Sequence, residues 1–191
     1  LAGLGAAEPE HVPARRLAPE IVIESDDAVH LGTGDVQGLR DQRLCGLLDV
    51  AEFVLQGVQD RQERPFAIEM LANALERLGG MKLVFSNAPR HYVAGVLRAM
   101  GLARYFDAVY SIEDARYRGK PALHGFRMLL RKHNVDPHRC AFVDDMLENL
   151  RTARRLGMST VWVSRENRRT PFVDLRVASV LELPRLVFRY G

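Results

Sequence analysis

Three short stretches of the sequence carry residues whose types and spacing could do chemistry. Leu83-Val84-Phe85 is an apolar run ending on Ser86 and Asn87. Ala141-Phe142-Val143 ends on two adjacent carboxylates, Asp144 and Asp145. Between the two, Lys120 stands in a Gly-Lys-Pro at the mouth of a helical pattern. Adjacent carboxylates repel, so a cation has to sit opposite them, and paired hard oxygens are donors of the kind Mg2+ takes together with water and phosphate. A hydroxyl with free backbone amides after a strand suits a phosphate, and a lysine can set a fixed positive charge against the same group. Singly, each has a plainer explanation. Ser-Asn after a strand caps a helix, a lysine before proline is a solvated surface residue, and an Asp-Asp pair is a cap with a bystander.

The elements that must position these residues can be read from apolar spacing. Ile68, Leu71, Leu75 and Leu78 share one helical face that stops at Gly79-Gly80, and a second amphipathic helix from residue 90 stops at Gly101. Residues 106–114 read as a strand through Val109 running into acids. Residues 120–135 read as a helix opened by Pro121 and closed near Asn134. A strand into Asp144-Asp145, a helix over 146–157 and the apolar strand 159–164 follow. Strands this short and this apolar, alternating with helices, predict an α/β fold: a doubly wound parallel sheet covered on both faces. Ligands of such sheets lie outside the carboxyl ends of the strands, which puts Ser86-Asn87 and Asp144-Asp145 on one rim.

The 191 residues suffice for one domain, or a domain with a small lobe, and residues 66–191 read as its core. The region before them differs in character. No aromatic precedes Phe53, and residues 1–65 hold six Arg, no Lys and twelve acids, a net of −6, against 21 basic residues and 12 acids in 66–191, a net of +9. Residues 1–20, rich in Pro and Gly without a period, read as a loose tail; 21–65 are harder to assign. The chain starts with Leu rather than Met, as a fragment would. Cys45 and Cys140 are the only cysteines and make no zinc or CxxC spacing, and no run reaches transmembrane length. The expectation is a cytoplasmic protein without a membrane or nucleic-acid partner, its scattered arginines a solvated basic face that attracts anionic substrates.

In order and spacing, residues 81–163 resemble the haloacid dehalogenase (HAD) superfamily of phosphohydrolases. "LVFSN" looks like its second motif, "GKP" its third, and "FVDDMLENLRTARRLGMSTVWV" its fourth with the following helix and strand. The wording "VFSNA" and "TVWV" is most similar to the pyrimidine 5′-nucleotidase branch. The resemblance implies a HAD-like Rossmannoid core that cleaves small phosphate monoesters, nucleoside 5′-monophosphates foremost, with Mg2+. By the same resemblance Ser86 binds the phosphoryl group through its hydroxyl, helped by the Asn87 backbone amide. Lys120 steadies the developing charge, and Asp144 and Asp145 hold the metal.

The family's first motif, a strand ending in D-x-D-x-T or V, supplies the nucleophile and the acid/base, and no such string occurs here. In "IVIESDDAVH" Glu24 would take the nucleophile position, Asp26 the acid/base position and Ala28 that of the Thr, with Ile21-Val22-Ile23 as the strand. The other reading is a chance match, favoured by the break in composition over this stretch. Leu47, Leu48, Ala51, Val54, Leu55 and Val58 share a helical face, as a trimmed helical cap would. In this family the first-motif strand lies between the strands ending at Asn87 and Asp144. Were residues 21–27 not to fill that slot, unpaired backbone groups would cost about 1–3 kcal/mol each and favour a homodimer. A non-catalytic phosphate- or metal-binding relative of these enzymes is the alternative. A receiver-like signalling domain fits less well, because Lys120 precedes the acidic pair. His30, His91, His124, His133 and His138 show no metal spacing, and Trp162 reads as a core strand residue.

Overall fold

The computed structural model describes residues 43–45 and 64–183. The elements in chain order are β1 (Arg43–Cys45), α1 (Arg64–Arg77), β2 (Lys82–Phe85), α2 (Arg90–Ala99), β3 (Ala108–Tyr110), α3 (Leu123–Lys132), β4 (Cys140–Asp144), α4 (Leu147–Arg155), β5 (Ser159–Val163) and β6 (Leu175–Val177). The six strands form one sheet in the order β3-β2-β1-β4-β5-β6. Every neighbouring pair is parallel.

Alternation along each strand explains why both faces are covered. Val84, Ala141, Val143, Val161 and Val163 point to one face and pack with Leu71 and Leu75 of α1, with Leu78 just after it, and with Val93 and Leu97 of α2. Leu83, Phe85, Cys140, Phe142 and Trp162 point to the other and pack with Phe126 and Leu129 of α3 and Leu150 and Ala153 of α4. Successive strand residues face opposite ways, so a run apolar at every position is buried twice. Helix ends fall where a left-handed backbone is cheap: Gly80, Gly101 and Gly157 have φ of 78°, 68° and 90°. α3 opens later than the sequence suggests. Its N-cap is Ala122, and Pro121 lies ahead of the helix in a cis Lys120–Pro121 peptide.

The central slot of the sheet is filled. Between β2 and β4 runs β1, with Cys45 level with both Leu83 and Phe142. Ile21-Val22-Ile23 lies outside the described residues. Neither β2 nor β4 is left unpaired, and the argument for dimerisation from an open slot loses its premise. The tail over 1–20, Glu24, Asp26, His30 and the cap-like face over 47–58 lie outside the described residues.

At the end of α3 the His133 ring packs edge-on to Tyr110 with centroids 6.2 Å apart, and its Nε2 is buried without a hydrogen-bond partner. Burial pushes its pKa below the ordinary histidine value and the neighbouring Lys132 ammonium lowers it further, against an opposing pull from Asp114. The unfolded chain thus takes up the proton first. Stability is expected to be at its full value above pH about 6.5, the unfolded-state pKa, and to fall as pH drops below it through the lower folded value. Urea unfolding at pH 7.5 and 5.5 checks this, and His133→Phe should flatten that part of the profile. An unchanged slope in the variant would remove His133 from the account.

Candidate active site on the carboxyl rim

Four residues of the site sit just beyond, or at, the carboxyl end of a buried strand, and Lys120 lies in the loop before α3. Ser86 and Asn87 follow β2, Asp144 closes β4, and Asp145 follows it. With β1 between them, the two groups are two strand spacings apart at the backbone, roughly 9–10 Å. Ser86 is nearly buried. Its N–H donates to the Tyr110 carbonyl at 3.0 Å, and its Oγ accepts the Ala88 N–H at 3.1 Å. The hydroxyl proton can therefore be donated outward.

Lys120 is the polar centre. Its Nζ donates to Asp144 Oδ2 at 2.8 Å, with the two side chains 1% and 0% exposed. The ammonium also lies over the Phe85 and Phe142 rings, 5.5 and 5.7 Å from their centroids. Asp144 Oδ1 accepts from the Met146 N–H at 2.8 Å and from Asn149 Nδ2 at 2.9 Å. The carboxylate is thus held by α4's first turn on one oxygen and by lysine on the other. Three sides hold the segment that carries Lys120. Asn87 bonds its backbone twice at 2.8 Å, and Thr152 Oγ1 of α4 donates to the Pro121 carbonyl at 2.8 Å. Gly125 of α3 lets the helix approach so closely that an added Cβ would stand 2.7 Å from the Arg118 carbonyl oxygen. Trp162, a buried strand residue as expected, donates its Nε1 proton to the Asp145 carbonyl at 2.9 Å.

Beside this, Asp114 ties down the loop after β3. Its carboxylate accepts the Ser111 N–H and hydroxyl at 2.9 and 3.0 Å, Lys132 at 2.6 Å, and Arg90. Burial alone would push its pKa up, but the Lys132 contact, the two bonds from Ser111 and the Arg90 charge carry it below the usual value. The Glu113 carboxylate, also lowered, receives the Arg90 backbone N–H at 3.1 Å.

Ser86, Asn87, Lys120, Asp144 and Asp145 thus share one rim, with Asn87, Lys120 and Asp144 linked by hydrogen bonds. The sequence reading missed the supporting roles of Asn149 and Thr152. Asn149 alone left a signal, a polar residue one helical turn past the acids on a face that has to be buried. Glu24 and Asp26 lie outside the described residues, where β1 is followed in sequence by Gly46, Leu47, Leu48 and Asp49. An open groove of about 700 Å³ between α1 and residues 104–107 lies at the amino end of β2, away from the rim, and mixes Glu69, Glu76 and Asp107 with Lys82 and Arg104.

No group of three or more His, Cys, Asp or Glu side chains able to hold a metal occurs among the described residues. The donors nevertheless suit Mg2+, which asks for one or two carboxylates plus water and phosphate. Asp144 keeps one of its roughly four lone-pair sites beyond its three partners, and Asp145, half-buried, is the adjacent carboxylate.

A family model for haloacid dehalogenase-like hydrolases matches residues 12–157. No curated protein matches the sequence. Among solved structures, an L-2-haloacid dehalogenase from Xanthobacter autotrophicus with covalently bound chloropropionic acid aligns with a TM-score of 0.55 at 22% identity, over 61% of this chain and 58% of that one. A HAD phosphatase from Thermococcus onnurineus aligns at 0.53 and 22%, over 80% and 76%. The magnesium-bound HAD-hydrolase YfnB from Bacillus subtilis aligns at 0.55 and 17%, over 64% and 54%. The chain thus spans little more than half the length of the first and third of these. With the model covering most of its length and the parallel sheet carrying the motif residues to one rim, the chain belongs to the haloacid dehalogenase-like hydrolases.

Proposed function

We propose that the chain is a magnesium-dependent phosphohydrolase acting on small phosphate monoesters, nucleoside 5′-monophosphates of the pyrimidine type first among them. The observation that carries this reading is the buried Lys120–Asp144 pair at the rim, flanked by the Ser86 hydroxyl. Phosphoryl transfer asks chiefly for positioning and for charge stabilisation around equatorial oxygens. Ser86 donates its hydroxyl proton to one such oxygen, the Asn87 backbone amide binds another, and Lys120 sets its charge against the group from a site that hardly has to reorganise. Asp144 and Asp145 would hold Mg2+, which supplies Lewis-acid neutralisation of the phosphate when bound. The attacking carboxylate belongs in this reading to the first 65 residues. Glu24 with Asp26 as acid/base is one assignment, and Asp49, the first carboxylate after β1, is the other. Two cysteines without a zinc or CxxC spacing and a small anionic substrate suit the cytoplasm.

A second reading has its own observation. β1 ends at Cys45 and is followed by three residues without a carboxylate, so a phosphate- and metal-binding protein that performs no hydrolysis is also consistent with the rim.

The test is steady-state release of phosphate from a panel of nucleoside monophosphates and an aryl phosphate, and of chloride from 2-chloropropionate, with and without Mg2+. The expected result is Mg2+-dependent phosphate release that is abolished by Asp49→Asn or by Glu24→Gln. Chloride release without phosphate release would overturn the reading. Tight Mg2+-dependent phosphate binding without turnover would establish the second one.

A further inference from the structure

Asn87 enters the proposed chemistry only through its backbone amide, yet its side chain makes the more unusual contact. Nδ2 donates to the Lys120 carbonyl oxygen and Oδ1 accepts the Lys120 N–H, both at 2.8 Å and across 33 residues of sequence. One carboxamide thus engages the donor and the acceptor of a single residue, as a neighbouring strand would. The space for it comes from the residue before. A Cβ on Gly119 would stand 2.0 Å from Asn87 Oδ1 and 2.8 Å from Asn87 Cγ. The other near atom, Ile112 Cδ1 at 2.8 Å, is the far end of a flexible side chain that can move aside. From the Cα so clasped, the lysine side chain reaches Asp144 in a pocket where it is 1% exposed.

We infer that the Asn87 side chain is a positioning residue that fixes the height of the Lys120 ammonium at the rim by clasping residue 120, and that Gly119 is required because any Cβ there would open the clasp. The role rests on the phosphohydrolase reading for its catalytic meaning, while the clasp itself does not. Asn87 then links the ends of two separate stretches of chain, delivering a phosphate-binding amide with its backbone and the charge-bearing lysine with its side chain. A displacement of order 1 Å at the reacting groups costs about a hundredfold in rate, so a loosened lysine acts on kcat rather than on substrate affinity.

The experiment compares the wild-type chain with Asn87→Ala, Gly119→Ala and the double variant. Two quantities are read: amide hydrogen exchange of the Lys120 N–H, and kcat and KM on the best phosphate monoester of the panel. Asn87→Ala is expected to speed Lys120 exchange at least tenfold and to lower kcat by about a hundredfold with KM nearly unchanged. Gly119→Ala should do the same. The double variant should be no worse than the worse single one, because the clash partner has been removed. Wild-type protection of the Lys120 amide in Asn87→Ala overturns the inference, as do losses that multiply in the double variant or an effect on KM alone. Asn87→Ala adds no atoms, so it decides the matter should Gly119→Ala not fold. A wild-type chain without phosphatase turnover counts against the functional reading alone, and the exchange measurement then decides the clasp.

Discussion

Lys120→Met is expected to lower the free energy of unfolding by about 3–5 kcal/mol, the cost of stranding a buried ion. The Asp144 carboxylate is fully buried and faces the ammonium at 2.8 Å. Methionine fills a similar volume but leaves the negative charge where water cannot reach it. Asp144→Asn strands the lysine in the same way, although an amide oxygen can still accept from the Met146 N–H and Asn149. Combining the two removes both ions, so the double variant should be distinctly more stable than the sum of the single losses. Urea unfolding of the four proteins at one pH gives the coupling directly. Additive losses would mean that the pair is not the unit that stabilises the rim. If the proposed hydrolysis holds, Lys120→Met also lowers kcat by about 10²–10³, as loss of a positioned charge-stabilising group does.

Phe85→Ala is the second large effect, also about 3–5 kcal/mol. Phe85 is completely buried at the last position of β2. Its ring meets Tyr110 at 5.3 Å and Phe126 at 5.1 Å, both nearly perpendicular, and Phe142 at 6.5 Å. Edge-to-face pairs add about 0.5–1.5 kcal/mol each beyond area burial, so the truncation loses contacts on three sides and leaves a cavity beneath the lysine. Phe85→Leu keeps most of the volume and should cost much less stability, while still removing the ring from under the ammonium. Thermal unfolding of both variants tests this. Equal losses would show that the cavity is unimportant and that the aromatic contacts dominate.

Much of the sheet was legible because buried parallel strands have little choice of composition. Leu83-Val84-Phe85, Ala141-Phe142-Val143 and Val161-Trp162-Val163 are apolar at every position, and all lie in strands covered on both faces. Placing Ser86-Asn87 and Asp144-Asp145 on one rim followed from where such strands end. The central strand was not legible. Arg43-Leu44-Cys45 has neither an apolar run nor an alternation of its own, and it is a strand because two neighbours hydrogen-bond it. Register and partner are tertiary properties that no local criterion carries. The supports of the site were hidden for a related reason. Thr152 serves through a bond to the Pro121 carbonyl, and Asn87 through bonds to a residue 33 positions away. No spacing rule encodes either contact.

Among the described residues, the strand between β2 and β4 is also the earliest of the sheet in the chain. Among the described residues, β3-β2 on one side and β4-β5-β6 on the other are joined in the sheet through the three residues of β1, with residue 43 beside residue 140 and residue 44 beside residue 82. Recombination therefore finds no seam here. A crossover with a related gene anywhere between β1 and β4 gives β1 a partner it did not evolve beside, on one flank or on both. Exchanging either half of the rim for a relative's therefore changes a strand that pairs with β1.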